Sequence, residues 1–238
     1  VVYRHIRAAA ESGWDFSSRW LKKDKNYKFN LYSIHTTDII PVDLNSLVYN
    51  MELTMSKGYQ KIGDTVKANE YKMKALARKK SIIKYCWSKN KKFFMDFDFK
   101  AKAQTDVYSI AGVYPLFFHI ADKKQAIRVA NKIQYSFLYA GGVSATLNHT
   151  GHQWDAPNGW APLQWICING LRNYGQNELA DTIKNRWLQL NQRVYNRTFK
   201  MLEKYNVENL LRKGGGGEYP NQDGFGWTNG VYKALSKE

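Results

Sequence analysis

Five segments of this chain place their apolar residues at helical spacing, and no run of alternating residues is long enough to specify a sheet. That periodicity constrains the fold more than any other feature. Asp43 is positioned to cap a helix through Leu44, Leu47, Val48, Met51 and Leu53 that ends near Gly58. A second helix should run from about Thr65 to Trp87, and a third sets Ala126, Ala130, Ile133 and Phe137 on one stripe. Pro162 suits the first turn of a fourth, which continues through Leu163, Ile166 and Cys167 to about Tyr174. The longest, from about Asn177 to Tyr205, aligns Leu179, Ile183, Trp187, Leu190, Val194 and Met201. The chain should therefore be all-α.

Loops of a different character separate these helices. Residues 11–20, 141–161 and 213–230 are rich in Gly, Trp, Asn and Asp. Antiparallel helices joined at one end by long aromatic and polar loops describe an α/α toroid with a site at one mouth. No linker or internal repeat divides the chain, so residues 1–238 are expected to form one domain or part of one.

Composition removes several classes of function. With 44% hydrophobic residues the chain can bury a substantial core, which excludes a disordered protein. No run approaches the about 20 apolar residues of a membrane-spanning helix. The net charge of +16 raises the possibility of a nucleic-acid partner. Its densest stretch, Lys72 to Lys92, interleaves Lys and Arg with Tyr71, Ala75, Leu76, Ile82, Ile83 and Cys86, the pattern of an amphipathic helix with a solvated face. Neither a nucleic acid nor a membrane is expected as a partner. Cys86 and Cys167 form no CxxC pair and read as free buried thiols. The sequence opens Val1-Val2-Tyr3, without Met or a signal peptide, so the natural N-terminus is expected upstream and the compartment stays open between cytoplasm, periplasm and cell exterior.

The loops carry the chemistry. In Glu11-Ser12-Gly13-Trp14-Asp15-Phe16-Ser17-Ser18-Arg19-Trp20, Asp15 would lie against two aromatic rings, which disfavours its charged form and suits a general acid. On these residues alone Asp15 serves equally as a helix cap or as the ion-pair partner of Arg19. In the middle loop, Gln153, Trp154, Asp155 and Trp160 combine indole faces with amide and carboxylate groups, a set suited to a sugar's C–H faces and hydroxyls. Structural packing of the two tryptophans is the competing reading. His149 and His152 have the spacing of a metal pair but no third ligand nearby, so no metal is expected. Gly214 to Gly217 could approach a ligand closely, yet Glu218 follows where a phosphate loop needs Lys.

The stretch QWDAPNGWAP from Gln153 to Pro162, with GGGGEYPNQDGFGWTNG from Gly214 to Gly230, closely resembles the trehalases of glycoside hydrolase family 37. ESGWDFSSRW and PVDLN at Pro41 to Asn45 also resemble trehalase segments, in the family's order along essentially the whole chain. The resemblance implies an (α/α)6 toroid that hydrolyses α,α-trehalose to two glucose molecules with inversion, as a monomer when complete and without a cofactor. It places the general acid on Asp15 and the general base on Glu218. Gly13, Trp14, Trp154, Trp160, Gln153, Asp155, Tyr219, Gln222 and Trp227 then fall around the substrate. Trp154 and Trp160 would be pocket walls, Gln153 and Asp155 would orient them or a hydroxyl, and Tyr219, Gln222 and Trp227 would frame the base. The family's first signature and several pocket arginines belong to a region preceding these segments. The 238-residue chain alone is thus expected to expose apolar helix faces and to hydrolyse trehalose weakly or not at all. Two other readings stay open: a different α/α glycosidase acting on an α-glucoside, and a carbohydrate-binding fragment without turnover.

Overall fold

The computed structural model describes residues 1–23, 29–217 and 219–238, and its frame is helical as the periodicity requires. Among the described residues eight α-helices follow in order: α1 (Val2–Glu11), α2 (Val42–Lys61), α3 (Thr65–Cys86), the short α4 (Tyr114–Phe117), α5 (Lys123–Lys132), α6 (Ala161–Arg172), α7 (Asn177–Thr198) and α8 (Gly226–Leu235). Their ends have local causes. The Asp64 carboxylate accepts from the Lys67 amide at the start of α3. Asp122 and Gln125 close a reciprocal capping box on α5. Pro162 occupies the first turn of α6, where its missing N–H leaves no bond unmade.

Three expectations shift. α2 begins two residues earlier than Asp43 would cap it, with Pro41 at the cap position. α7 stops at Thr198 because Phe199 turns left-handed at φ 56°, so Met201 and Tyr205 lie beyond the helix. Lys204–Asn206 instead forms a strand antiparallel to Asn158–Trp160, with Trp160 opposite Lys204. α1 and α8 fall where no helix is expected from the sequence, the latter reaching back into the third loop.

Part of the apolar core lies between α6 and α7. Leu163, Cys167, Ile168 and Leu171 of α6 meet Ala180, Ile183, Trp187 and Leu190 of α7, all buried. α2 and α3 pack as a second antiparallel pair through more polar residues. Arg78 clamps Glu52 with two hydrogen bonds of 2.9 and 2.8 Å and reaches Asn45 at 2.9 Å. The apolar stripe of α2 faces outward: Leu44, Leu47 and Met51 are 53%, 47% and 56% exposed. It borders a cavity of about 400 Å³ lined by Trp14, Arg19, Trp20, Asp43 and Tyr114 as well as Leu44 and Leu47. Cys86 and Cys167 are buried and unpaired, and no described helix is long and apolar enough to cross a membrane.

Candidate active site

The three loops singled out in the sequence converge at one end of the helices. Asp155 is the main staple between the first two. Its carboxylate is fully buried and accepts five hydrogen bonds, from the hydroxyls of Ser17, Ser18, Thr146 and Thr150 and from the Ser18 amide. It is fully enclosed by these donors, so in this structure Asp155 orients the loops. The Trp154 amide adds a bond to the Phe16 carbonyl at 3.1 Å.

Arg19 anchors the first loop from below, and its partners are not Asp15. The guanidinium donates to both oxygens of Asp43 at 2.7 and 2.6 Å and to both oxygens of Asp96 at 2.7 and 2.8 Å. Its carbon also lies 4.7 and 4.5 Å from the ring centres of Trp14 and Trp20. Two carboxylates in this buried setting outweigh desolvation and hold the guanidinium charged. Asp43 therefore ties α2 to the loop instead of capping the helix. Asp15 is left half-buried, with Gly13 exposed beside it.

The tryptophans form a stack behind this loop. Trp154 and Trp160 lie parallel, 3.7 Å apart and 3° from coplanar, while Trp14 and Trp227 approach Trp154 at 5.1 and 6.4 Å. Trp160 and Gln153 are fully buried and Trp154 nearly so. Trp160 is therefore a support behind the wall, not a face open to a sugar, and the packing reading accounts for it. Trp227 is half-buried and Gln222 exposed. The exposed His149 ring bonds the Glu208 carboxylate at 2.8 Å, and no group of three metal-ligating side chains occurs among the described residues.

The glycine-rich loop closes over the middle one. The Gly217 amide donates to the Gly151 carbonyl at 3.0 Å, and the Gly215 carbonyl accepts from the Asn158 amide group at 2.6 Å. Gly216 lies at φ 86°, where a side chain would be strained and its Cβ would collide with the Gly151 carbonyl. Glu218 lies outside the described residues.

Two residues absent from the sequence expectation complete the cluster. Glu203 and Lys204 are both buried, and the Lys204 ammonium donates to Glu203 at 2.7 Å and to Gln153 Oε1 at 2.9 Å. The second Glu203 oxygen accepts from the Tyr219 hydroxyl at 3.2 Å. Gln153 Nε2 in turn donates to the Asp15 carbonyl. Burial raises the Tyr219 phenol above its ordinary value, and the nearby carboxylates of Glu203 and Asp15 act in the same direction, so Tyr219 keeps its proton as a donor. The signal for this pair was a Glu-Lys step between apolar neighbours, Leu202 and Tyr205, just ahead of the glycine run.

Asp15, Glu203 and Tyr219 thus lie close together beside the indole rings. The family profile described as Trehalase matches residues 1–237. The chain belongs to the trehalase family. It is 45% identical over 230 residues to a periplasmic trehalase of Escherichia coli, covering 97% of this chain and 40% of that protein. The periplasmic trehalase of Citrobacter koseri is 46% identical with the same coverage. Neutral trehalase Nth1 from Saccharomyces cerevisiae superposes with a TM-score of 0.80 at 27% identity, covering 99% of this chain and 42% of the yeast chain. A mannosylglycerate hydrolase of family GH63 from Thermus thermophilus shares the fold alone, with a TM-score of 0.63 at 20% identity over 83% of this chain and 45% of that one. The helices are thus those of a trehalase (α/α)6 toroid, and the chain spans about two fifths of the length of the curated relatives it matches.

Proposed function

We propose that this trehalase segment serves the hydrolysis of α,α-trehalose to two glucose molecules with inversion at the attacked carbon. Asp15 is the general acid that protonates the bridging oxygen as the glycosidic bond breaks. A second carboxylate takes a proton from the water that attacks the opposite face of the ring. Such a division needs roughly 6.5–9.5 Å between the carboxyl groups to admit that water. The observation that carries the reading is that the Asp15 loop is bound through Gln153 and Lys204 to a second buried carboxylate, with Tyr219 under the influence of both.

The resemblance gives the base to Glu218, and one observation favours Glu203 instead. Glu203 is buried, hydrogen-bonded through both oxygens and linked through Lys204 and Gln153 to the Asp15 carbonyl. The two assignments separate in one experiment on the full-length protein. Replacing the true base with Gln should lower kcat by about 10²–10⁴-fold. Azide, which needs no deprotonation to attack, should restore turnover to that variant alone. D15N should lose activity without azide rescue. Polarimetry of fresh product should show one β-glucose and one α-glucose from each trehalose, and initial release of two α-glucose molecules would refute inversion.

The exposed stripe of Leu44, Leu47 and Met51 belongs to the same proposal. Covering it with a further apolar helix face would also enclose the cavity beside Trp14. The compartment carried over from the enterobacterial relatives is the periplasm. Cell fractionation tests that assignment, and assays of trehalose against maltose separate this reading from another α-glucosidase.

A further inference from the structure

Lys204 has no surface of its own, and its charge demands a reason. It is 0% exposed in a strand opposite Trp160, where an unbranched apolar side chain would fill the same space without desolvating an ammonium. From the geometry we infer that Lys204 is a positioning residue that sets the acid and base carboxylates against each other across the substrate. This rests on the reading above that Asp15 and Glu203 perform the chemistry.

The ammonium carries three protons. One goes to Glu203 Oε2 and one to Gln153 Oε1, at 2.7 and 2.9 Å. The remaining face lies between the Trp160 and Tyr219 rings, with the nitrogen 5.1 and 4.9 Å from their centres. This cation–π sandwich leaves the head group a single place to sit. Its effect travels in two directions. Because the Gln153 oxygen must face the ammonium, the Gln153 amide nitrogen must face away, and there it donates to the Asp15 carbonyl. Because one Glu203 oxygen is held by Lys204, the other is turned to the Tyr219 hydroxyl. One charge thus fixes the backbone that carries the acid and the rotamer of the base.

A residue acting only through others should affect kcat more than KM, since it makes no contact with the sugar in either ground or transition state. In the full-length protein K204M should lower kcat by about 10²-fold, the scale set by an ångström of misplacement, and change KM by less than about threefold. K204A should behave alike, and propylammonium at high concentration should recover about tenfold of the loss by re-supplying the ion, whereas propanol should not. Thermal unfolding monitors whether each variant is folded, and where K204M is too unstable K204Q, which keeps a polar head group between Glu203 and Gln153, supplies the folded variant with the same expected loss of kcat. A kcat within threefold of wild type for K204M, a loss confined to KM, or equal recovery with propanol overturns the proposal. Wild-type protein without trehalase activity overturns the functional reading itself, and E203Q with wild-type kcat removes Glu203 as base. Both results are read without any Lys204 variant, so the two failures are distinguishable.

Discussion

The α6–α7 and α2–α3 pairs are both antiparallel helices, yet they treat their apolar residues in opposite ways. α7 turns Ala180, Ile183, Trp187 and Leu190 inward onto α6, with charged residues such as Lys184 and Arg193 on its flanks. α2 turns Ser46, Glu52 and Ser56 inward onto α3 and leaves Leu44, Leu47 and Met51 in solvent. The inner contacts of α2 are directional: the Arg78 clamp on Glu52, and the Ser56 hydroxyl on the Ala68 carbonyl at 2.7 Å. Hydrophobic periodicity therefore identifies a helix in both cases but identifies the face toward this core only in the first. An apolar stripe does not by itself say which face packs on this core, since polar pairs can hold the opposite face.

That contrast can be broken by substitution. Trp187→Ala should destabilise the chain by about 3–5 kcal/mol in denaturant unfolding, because a large buried ring leaves a cavity the α6 contacts cannot refill. A loss under 1 kcal/mol would show that α7 is not the stronger pair. Arg78→Met should be the next largest, about 1–3 kcal/mol, since it strands the buried Glu52 carboxylate without a donor. The same substitution with Glu52→Gln should recover part of the loss in a double-mutant cycle. Leu44→Ser with Leu47→Ser should move the stability of the 238-residue chain by no more than about 0.5 kcal/mol per site. It should, however, reduce binding of a hydrophobic dye and self-association, and a large stability loss would mean the stripe is already covered. Lys74→Ala should leave the unfolding curve unchanged, because the Lys74–Glu70 pair on the outer face of α3 is solvated at both ends.

The legible parts of the fold are those decided by near neighbours. α3 runs from Thr65 to Cys86, within one residue of the span its periodicity gives, because its cap and its spacing are local. α7 was overextended because the left-handed turn at Phe199 and the pairing of Lys204–Asn206 with residues about 46 positions away leave no periodic signature. Asp43 was read as a cap for a similar reason: an aspartate beside a helix start looks the same in sequence whether it holds an amide or an arginine. Arg19 chose Asp43 and Asp96 over Asp15, four residues away, since folding brings two carboxylates to a bidentate group. Asp15 is thereby left free of the nearest cation.

In the site, the three loops and their aromatic content could be read directly, and so could the candidate acid. Their division of labour could not. Trp160, Gln153 and Asp155 share a motif with Trp154, but the fold buries the first three completely and satisfies their polar atoms from within. Glu203 and Lys204 look like the solvated end of a helix until the strand carries them under the glycine-rich loop.

By itself, then, the sequence determined the five periodic helices, the placement of the loops and the chemical vocabulary of the mouth, because spacing, caps and glycine runs act over a few residues. Only the tertiary structure decided which carboxylates are structural and which face the site, and which apolar stripe is core and which is surface. Burial and charge pairing are properties of residues far apart in the chain, and their free energies exist only once the chain has closed.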